Sequence, residues 1–189
     1  MRNFFVMCAA ILILLTVSTA AAQPVRIARL PIIFQCTIPD DQTCRELEIK
    51  IERAIHIPLN GTLQLAEYLP PNSSAQELND LWNKKASLPD AMRPLAQKLD
   101  ADIVVCPVLK DYSQYVSFSG SWGETILISQ ARAELIVYDR RSDELIHKKS
   151  SQMHNDTYNL RGTASSLSKI CFDRVIDSSG LRQKIRDIR

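Results

Sequence analysis

Short runs of β-branched and aromatic residues alternate along this chain with stretches whose apolar positions recur every three or four residues. Val25 to Phe34 (VRIARLPIIF) is of the first kind and predicts an opening strand. Thr43-Cys44-Arg45-Glu46 has the spacing of a capping box, so a helix is expected to start there. Leu47, Ile51, Ala54 and Ile55 form its apolar face, and Pro58 stops it. Thr62 to Tyr68 (TLQLAEY), entered through Asn60-Gly61 and ended by Pro70-Pro71, predicts a second strand. Ser74-Ala75-Gln76-Glu77 repeats the capping pattern ahead of Leu78, Leu81 and Trp82, and a further helix after Pro89 carries Met92, Leu95, Ala96 and Leu99.

The continuous apolar run Ile103 to Leu109 suits a central strand covered on both faces. Pro107 within it cannot donate to a ladder, so a bulge or an edge contact is expected at that point. Thr125 to Tyr138 and Glu144 to Met153 then read as a hairpin turning at Asp139-Arg140-Arg141-Ser142-Asp143. Ala164, Leu167, Cys171, Val175 and Ile176 mark a helix from about Thr163, which Leu181, Ile185 and Ile188 extend. The order β-α-β-α-α-β-β-β-α predicts an α/β (α+β) fold, a mixed sheet of about five strands with helices packed on it.

The N-terminus adds a destination. Arg2 precedes an almost unbroken apolar run from Phe4 to Leu15, and Ala20-Ala21-Ala22 supplies small residues for cleavage, so residues 1–22 read as a secretory signal peptide. The run falls short of the ~20 residues that span a bilayer. Residues 23–189 are expected to form one domain, exported to the periplasm or another extracytoplasmic compartment. Export permits disulfides. Cys36 and Cys44, on either side of a polar loop with Pro39 and Asp40-Asp41, are the candidate pair, with two free thiols as the alternative. Cys106 and Cys171 lie in apolar patterns and suit packing.

The formal net charge is only +2, so nucleic acid is not an expected partner. The three histidines, His56, His147 and His154, lack an i, i+4 partner on a helix, and the cysteines form no C-x-x-C, so no metal is expected. Gly120-Ser121-Trp122-Gly123 is not a nucleophile elbow, and no Gly-rich phosphate loop exists in a chain with five glycines. Asp40-Asp41 lacks the alternating ligands of a calcium loop. Neither a catalytic residue nor a cofactor is expected.

Taken together, the opening strand RIARLPIIF, the helix before LDADIVVCPVLKDY and the hairpin AELIVYDRRSDELIHKKSS resemble the periplasmic α/β domain of the CsgG family of curli-secretion proteins and the related N-terminal domain of TolB. The family's hairpin turn carries an Asp-x-x-Thr-Gly-Glu-hydrophobic pattern; Asp139 and Glu144-Leu145-Ile146 match it, and the Thr-Gly pair is absent. The resemblance spans about Val25 to Val175 and implies an accessory or binding component of an envelope assembly rather than a catalyst. Its partner would be an envelope protein or a cell-wall component, or a second copy of the chain.

The candidate contact surface is the basic turn and returning strand, Arg140, Arg141, His147, Lys148 and Lys149, because an edge strand is a natural docking site. Two segments offer a route to a membrane. LRQKIRDIR at the C-terminus is basic and amphipathic, and Ser113 to Ser129 forms a hairpin expected to lie over the sheet. The alternatives are a subunit of a membrane-associated, CsgG-like secretion oligomer and an enzyme with a dispersed site.

Overall fold

The computed structural model describes residues 23–82, 87–118 and 123–188, so residues 1–22, expected to be a signal peptide, and most of the Gly120–Gly123 turn lie outside the described residues. Six strands form one mixed sheet in the order β3-β1-β4-β5-β6, with β2 alongside β4. The strands are β1 (Val25–Arg29), β2 (Ile33–Phe34), β3 (Ala66–Leu69), β4 (Ile103–Phe118), β5 (Thr125–Asp139) and β6 (Glu144–Thr157). The helices are α1 (Asp41–Ile55), α2 (Asn60–Leu63), α3 (Pro71–Trp82), α4 (Leu88–Leu99), α5 (Ala164–Ser179) and α6 (Leu181–Arg186), with a 3-10 turn at Leu160–Gly162. The mixed sheet with packed helices is the expected fold.

Helices cover both faces. On one, Leu47 and Ile51 of α1, Phe172 and Val175 of α5 and Ile185 of α6 pack against Ile103, Leu135 and Val137. On the other, Leu78 of α3 and Met92 and Leu95 of α4 pack against Val104, Cys106 and Ile136. β4 is thus buried on both sides along its first half, as its unbroken apolar run requires.

Several boundaries move for identifiable reasons. The expected first strand is broken at Leu30-Pro31-Ile32 into β1 and β2, both parallel to β4. The break answers the Pro107 objection. Leu30 N–H donates to Val105 O and Gln35 N–H to Leu109 O, so residue 107, of the same parity, turns its missing donor towards the interruption. Helix α1 begins three residues early because Asp40, not Thr43, is its cap: Asp40 Oδ1 accepts from Thr43 N–H at 2.9 Å and Oδ2 from the Thr43 hydroxyl at 2.7 Å.

The second strand starts at Ala66 rather than Thr62. The Asn60 side chain accepts from Ala66 N–H and donates to Ala66 O, both at 2.7 Å, and this clamp curls Asn60–Leu63 into one helical turn. Helix α3 starts at Pro71, whose missing N–H is no loss in a first turn, and leaves Ser74 buried inside it. Residues 113–118 and 125–130 do not lie over the sheet; they continue the β4–β5 ladder, from Ser113 opposite Gln130 to Phe118 opposite Thr125. β6 runs beside them as far as Thr157 opposite Ile126, so the sheet extends into a three-stranded arm.

Candidate functional site

The β5–β6 turn is held by carboxylates. Asp139, nearly buried, accepts from Arg141 N–H at 3.0 Å and from its guanidinium at 3.1 Å and 3.2 Å. Burial works to raise the Asp139 pKa, but the Arg141 hydrogen bonds and charge, with Lys184 behind them, leave it below the ordinary carboxylate value. Asp143 closes the turn with φ +52°, a left-handed conformation that aspartate tolerates better than most residues, and accepts from the Tyr138 hydroxyl at 2.7 Å. Arg140 reaches away to Asp100 at 2.8 Å and Asp102 at 3.2 Å. The charges of Arg140 and Arg141 are therefore spent largely within the fold.

His147, Lys148 and Lys149 lie along β6, which is the last strand of the sheet and has no neighbour on its outer side among the described residues. Alternation divides them. His147 and Lys149 share one face, opposite Ile136 and Glu134, and Lys148 takes the other, opposite Leu135. At the centre of the first group is Glu134, which the sequence reading did not single out. It is 5% exposed, and His147 Nε2 lies 2.8 Å, Lys110 Nζ 3.6 Å and Lys149 Nζ 3.8 Å from its carboxylate. Arg132 is paired with Asp111 at 3.2 Å, and a shallow hollow of about 330 Å³ lies between Lys110, Arg132, Lys149 and Ser151. The sequence signal for Glu134 was a lone carboxylate inside the apolar run AELIVY.

The two candidate disulfide residues sit beside the middle of β4. Cys36 follows β2 and its thiol donates to Leu109 O at 3.5 Å, while Cys44 in the first turn of α1 donates to Pro39 O at 3.5 Å. Both are half-buried free thiols. Burial pushes Cys36 up, helped by Asp111, and burial with Asp40, Asp41 and Glu48 pushes Cys44 up. Cys106 and Cys171 are buried in the two cores.

His154 has a packing role: its imidazole lies over Gly162, where a Cβ would overlap the ring. His56 caps the end of α1 and is exposed. Among the described residues no group of three His, Cys, Asp or Glu is placed to hold a metal ion, and no helix is long and apolar enough to cross a membrane. In α6, Leu181 and Ile185 are buried against the core, so its apolar side is already used. Arg189 lies outside the described residues.

No family model and no curated protein matches the chain. Solved structures similar to it share little sequence. The lipoprotein GNA1162 from Neisseria meningitidis is 14% identical, covering 82% of this chain and 99% of its own, with a TM-score of 0.42. The hypothetical protein CT253 from Chlamydia trachomatis is 13% identical, covering 86% and 99%, with a TM-score of 0.49. A PelC dodecamer from Paraburkholderia phytofirmans is 11% identical, covering 82% and 88%, with a TM-score of 0.39.

Proposed function

We propose that this chain is an exported, non-catalytic module of the cell envelope that acts as an accessory or binding component of an envelope assembly. The observation that carries this reading is β6. Its 14 residues form an edge strand with no strand on its outer side among the described residues, and Lys148 and Lys149 project from it to opposite faces. An extended segment of an envelope protein would add as a further strand, with the basic side chains selecting an acidic one. The export signal and the CsgG- and TolB-like pattern of the sequence support the same reading. In an oxidising compartment Cys36 and Cys44 would close a bridge within it.

A photo-crosslinking residue placed in turn at Lys149, at Ser151 and, as a control, at Gln76 on α3 tests the proposal in living cells. Discrete adducts from both β6 positions and none from Gln76 are expected. Adducts from none of the three, with the protein soluble and of monomer size, would overturn it.

A second reading, a subunit of a membrane-associated oligomer, is favoured by the end of the three-stranded arm. Tyr115, Val116, Phe118, Met153 and Leu160 are all exposed there, Phe118 by 76%. Native size measured with and without Phe118→Ser tests it: a large species dispersed by the substitution supports this reading, and a monomer in both forms excludes it.

A further inference from the structure

A second surface has a composition unlike the rest of the molecule. Where the end of α1 meets α6, a groove of about 390 Å³ is lined by Arg53, His56, Arg182 and Arg186 around a floor that includes Ile57 and Ile185. No carboxylate lines it. Among the described residues Arg53 and His56 have no ion-pair or side-chain hydrogen-bond partner, and Arg186 donates only to the neutral Gln183 Oε1, at 2.9 Å. Arg182 alone is paired, with Asp177 at 3.0 Å.

Helix dipoles explain part of this. Arg53 and Arg186 stand in the last turns of α1 and α6, where cations are favoured. They do not explain Arg182, which stands in the first turn of α6 where the dipole opposes it, nor the hollow between the arginines. His56 also lines an adjoining cavity of about 390 Å³, formed largely by Ile55, Tyr68, Leu69, Pro70 and Pro71, with Arg29 and Glu52 as its charged members. Arg29 is committed to Glu48. A basic groove therefore joins an apolar one at a single histidine, and each is within the size range of small-ligand sites, about 300–1,000 Å³.

We infer that this paired groove is a binding site for a phosphate-bearing amphiphile, an anionic phospholipid whose headgroup sits among Arg53, Arg182 and Arg186 and whose apolar part lies past His56 against Tyr68 and Pro70. Guanidinium groups match phosphate oxygens in bidentate geometry, and the apolar annex selects an amphiphile over free phosphate. The site takes none of its lining residues from β6, and its argument does not rest on the partner proposed there. It also gives α6 a membrane-facing role that uses its arginines rather than its buried apolar side.

The test is flotation of the full chain with phosphatidylcholine vesicles, with and without phosphatidylglycerol. Three forms are compared: the wild type, Arg53→Gln/Arg182→Gln/Arg186→Gln, and a control with the same charge change elsewhere, Arg45→Gln/Arg161→Gln/Arg174→Gln. The wild type and the control should bind the anionic vesicles and ignore neutral ones, and the groove variant should lose about tenfold or more with its melting temperature unchanged. Equal loss in groove and control variants, or no binding by the wild type, overturns the site. Titration with glycerol 3-phosphate separates the sources: saturable binding of the soluble ester without vesicle binding overturns the lipid assignment in favour of a soluble phosphate ligand.

Discussion

Arg140 Nη1 donates to Asp100 Oδ1 at 2.8 Å, tying the β5–β6 turn to the loop that delivers the chain from α4 into β4. Arg26 of β1 donates to the other Asp100 oxygen, also at 2.8 Å, so one exposed carboxylate links three segments distant in sequence.

This arrangement sets a pH dependence. The Arg140 and Arg26 hydrogen bonds hold Asp100 below the ordinary carboxylate value, those of Tyr138 and Arg93 do the same for Asp143, and Asp139 is also lowered. A carboxylate lowered on folding contributes its full stabilisation above its unfolded pKa, about 3.9 for Asp, and loses it as pH falls through the folded value. Urea midpoints are therefore expected to change little between pH 7 and pH 5 from these groups and to drop steeply below about pH 4. Asp100→Asn should lower the midpoint at pH 7 and make the acid drop shallower; an unchanged drop would mean that Asp100 takes no part in it.

Gly162 carries a steric prediction. Ser129, buried on β5, donates its hydroxyl to Gly162 O, and the His154 ring occupies the space a Cβ would need. Gly162→Ala should destabilise the fold by about 1–3 kcal/mol, the usual scale of overpacking. Adding His154→Ala should recover most of the loss, a coupling that thermal melts of the two single variants and the double variant would measure.

Phe172 is fully buried where α5 meets the sheet. Phe172→Ala should cost about 3–5 kcal/mol in denaturant unfolding, whereas substitutions at the exposed Tyr115 should leave the midpoint nearly unchanged.

Thiol chemistry should proceed in two stages in the reduced protein. Burial pushes Cys106 up to about 12 and also raises Cys171, so neither presents a thiolate at pH 8. Cys36 and Cys44 are raised too, yet they are half exposed. Mass spectrometry after labelling should show slow addition at those two, with the other pair reacting only after unfolding.

The elements most legible in the sequence were those with one strong signal each. Ile103–Leu109 and Leu135–Tyr138 are apolar because helices cover both faces, and α1, α4 and α5 show their buried stripes directly. The opening strand was overrun because β-branched and aromatic residues continue on both sides of Pro31, so only that proline marked the break. The second half of β4, KDYSQYVSF, was missed as a continuation because its outer residues are exposed on both faces, which removes the alternation a half-buried strand would show. The basic turn was visible as composition, but its commitment to Asp100, Asp102 and Asp139 was not, since those pairings depend on how strands and loops meet. The same holds for Glu134, whose partners come from β4 and β6, and for the arginine groove, assembled from α1 and α6, far apart in the chain.

β1 lies inside the sheet yet is the first strand to leave the ribosome. On one side it needs Ile103, which is made after more than half of the chain, and on the other it has only the short β3. Two short parallel strands are too little for an independent sheet. Until β4 emerges the nascent polypeptide therefore lacks the strand that buries Ile27 and Ala28 from the other side. The meander is made only in the second half of the chain, and α5 and α6 after it, so the sheet and the core on its α1 face close late in synthesis.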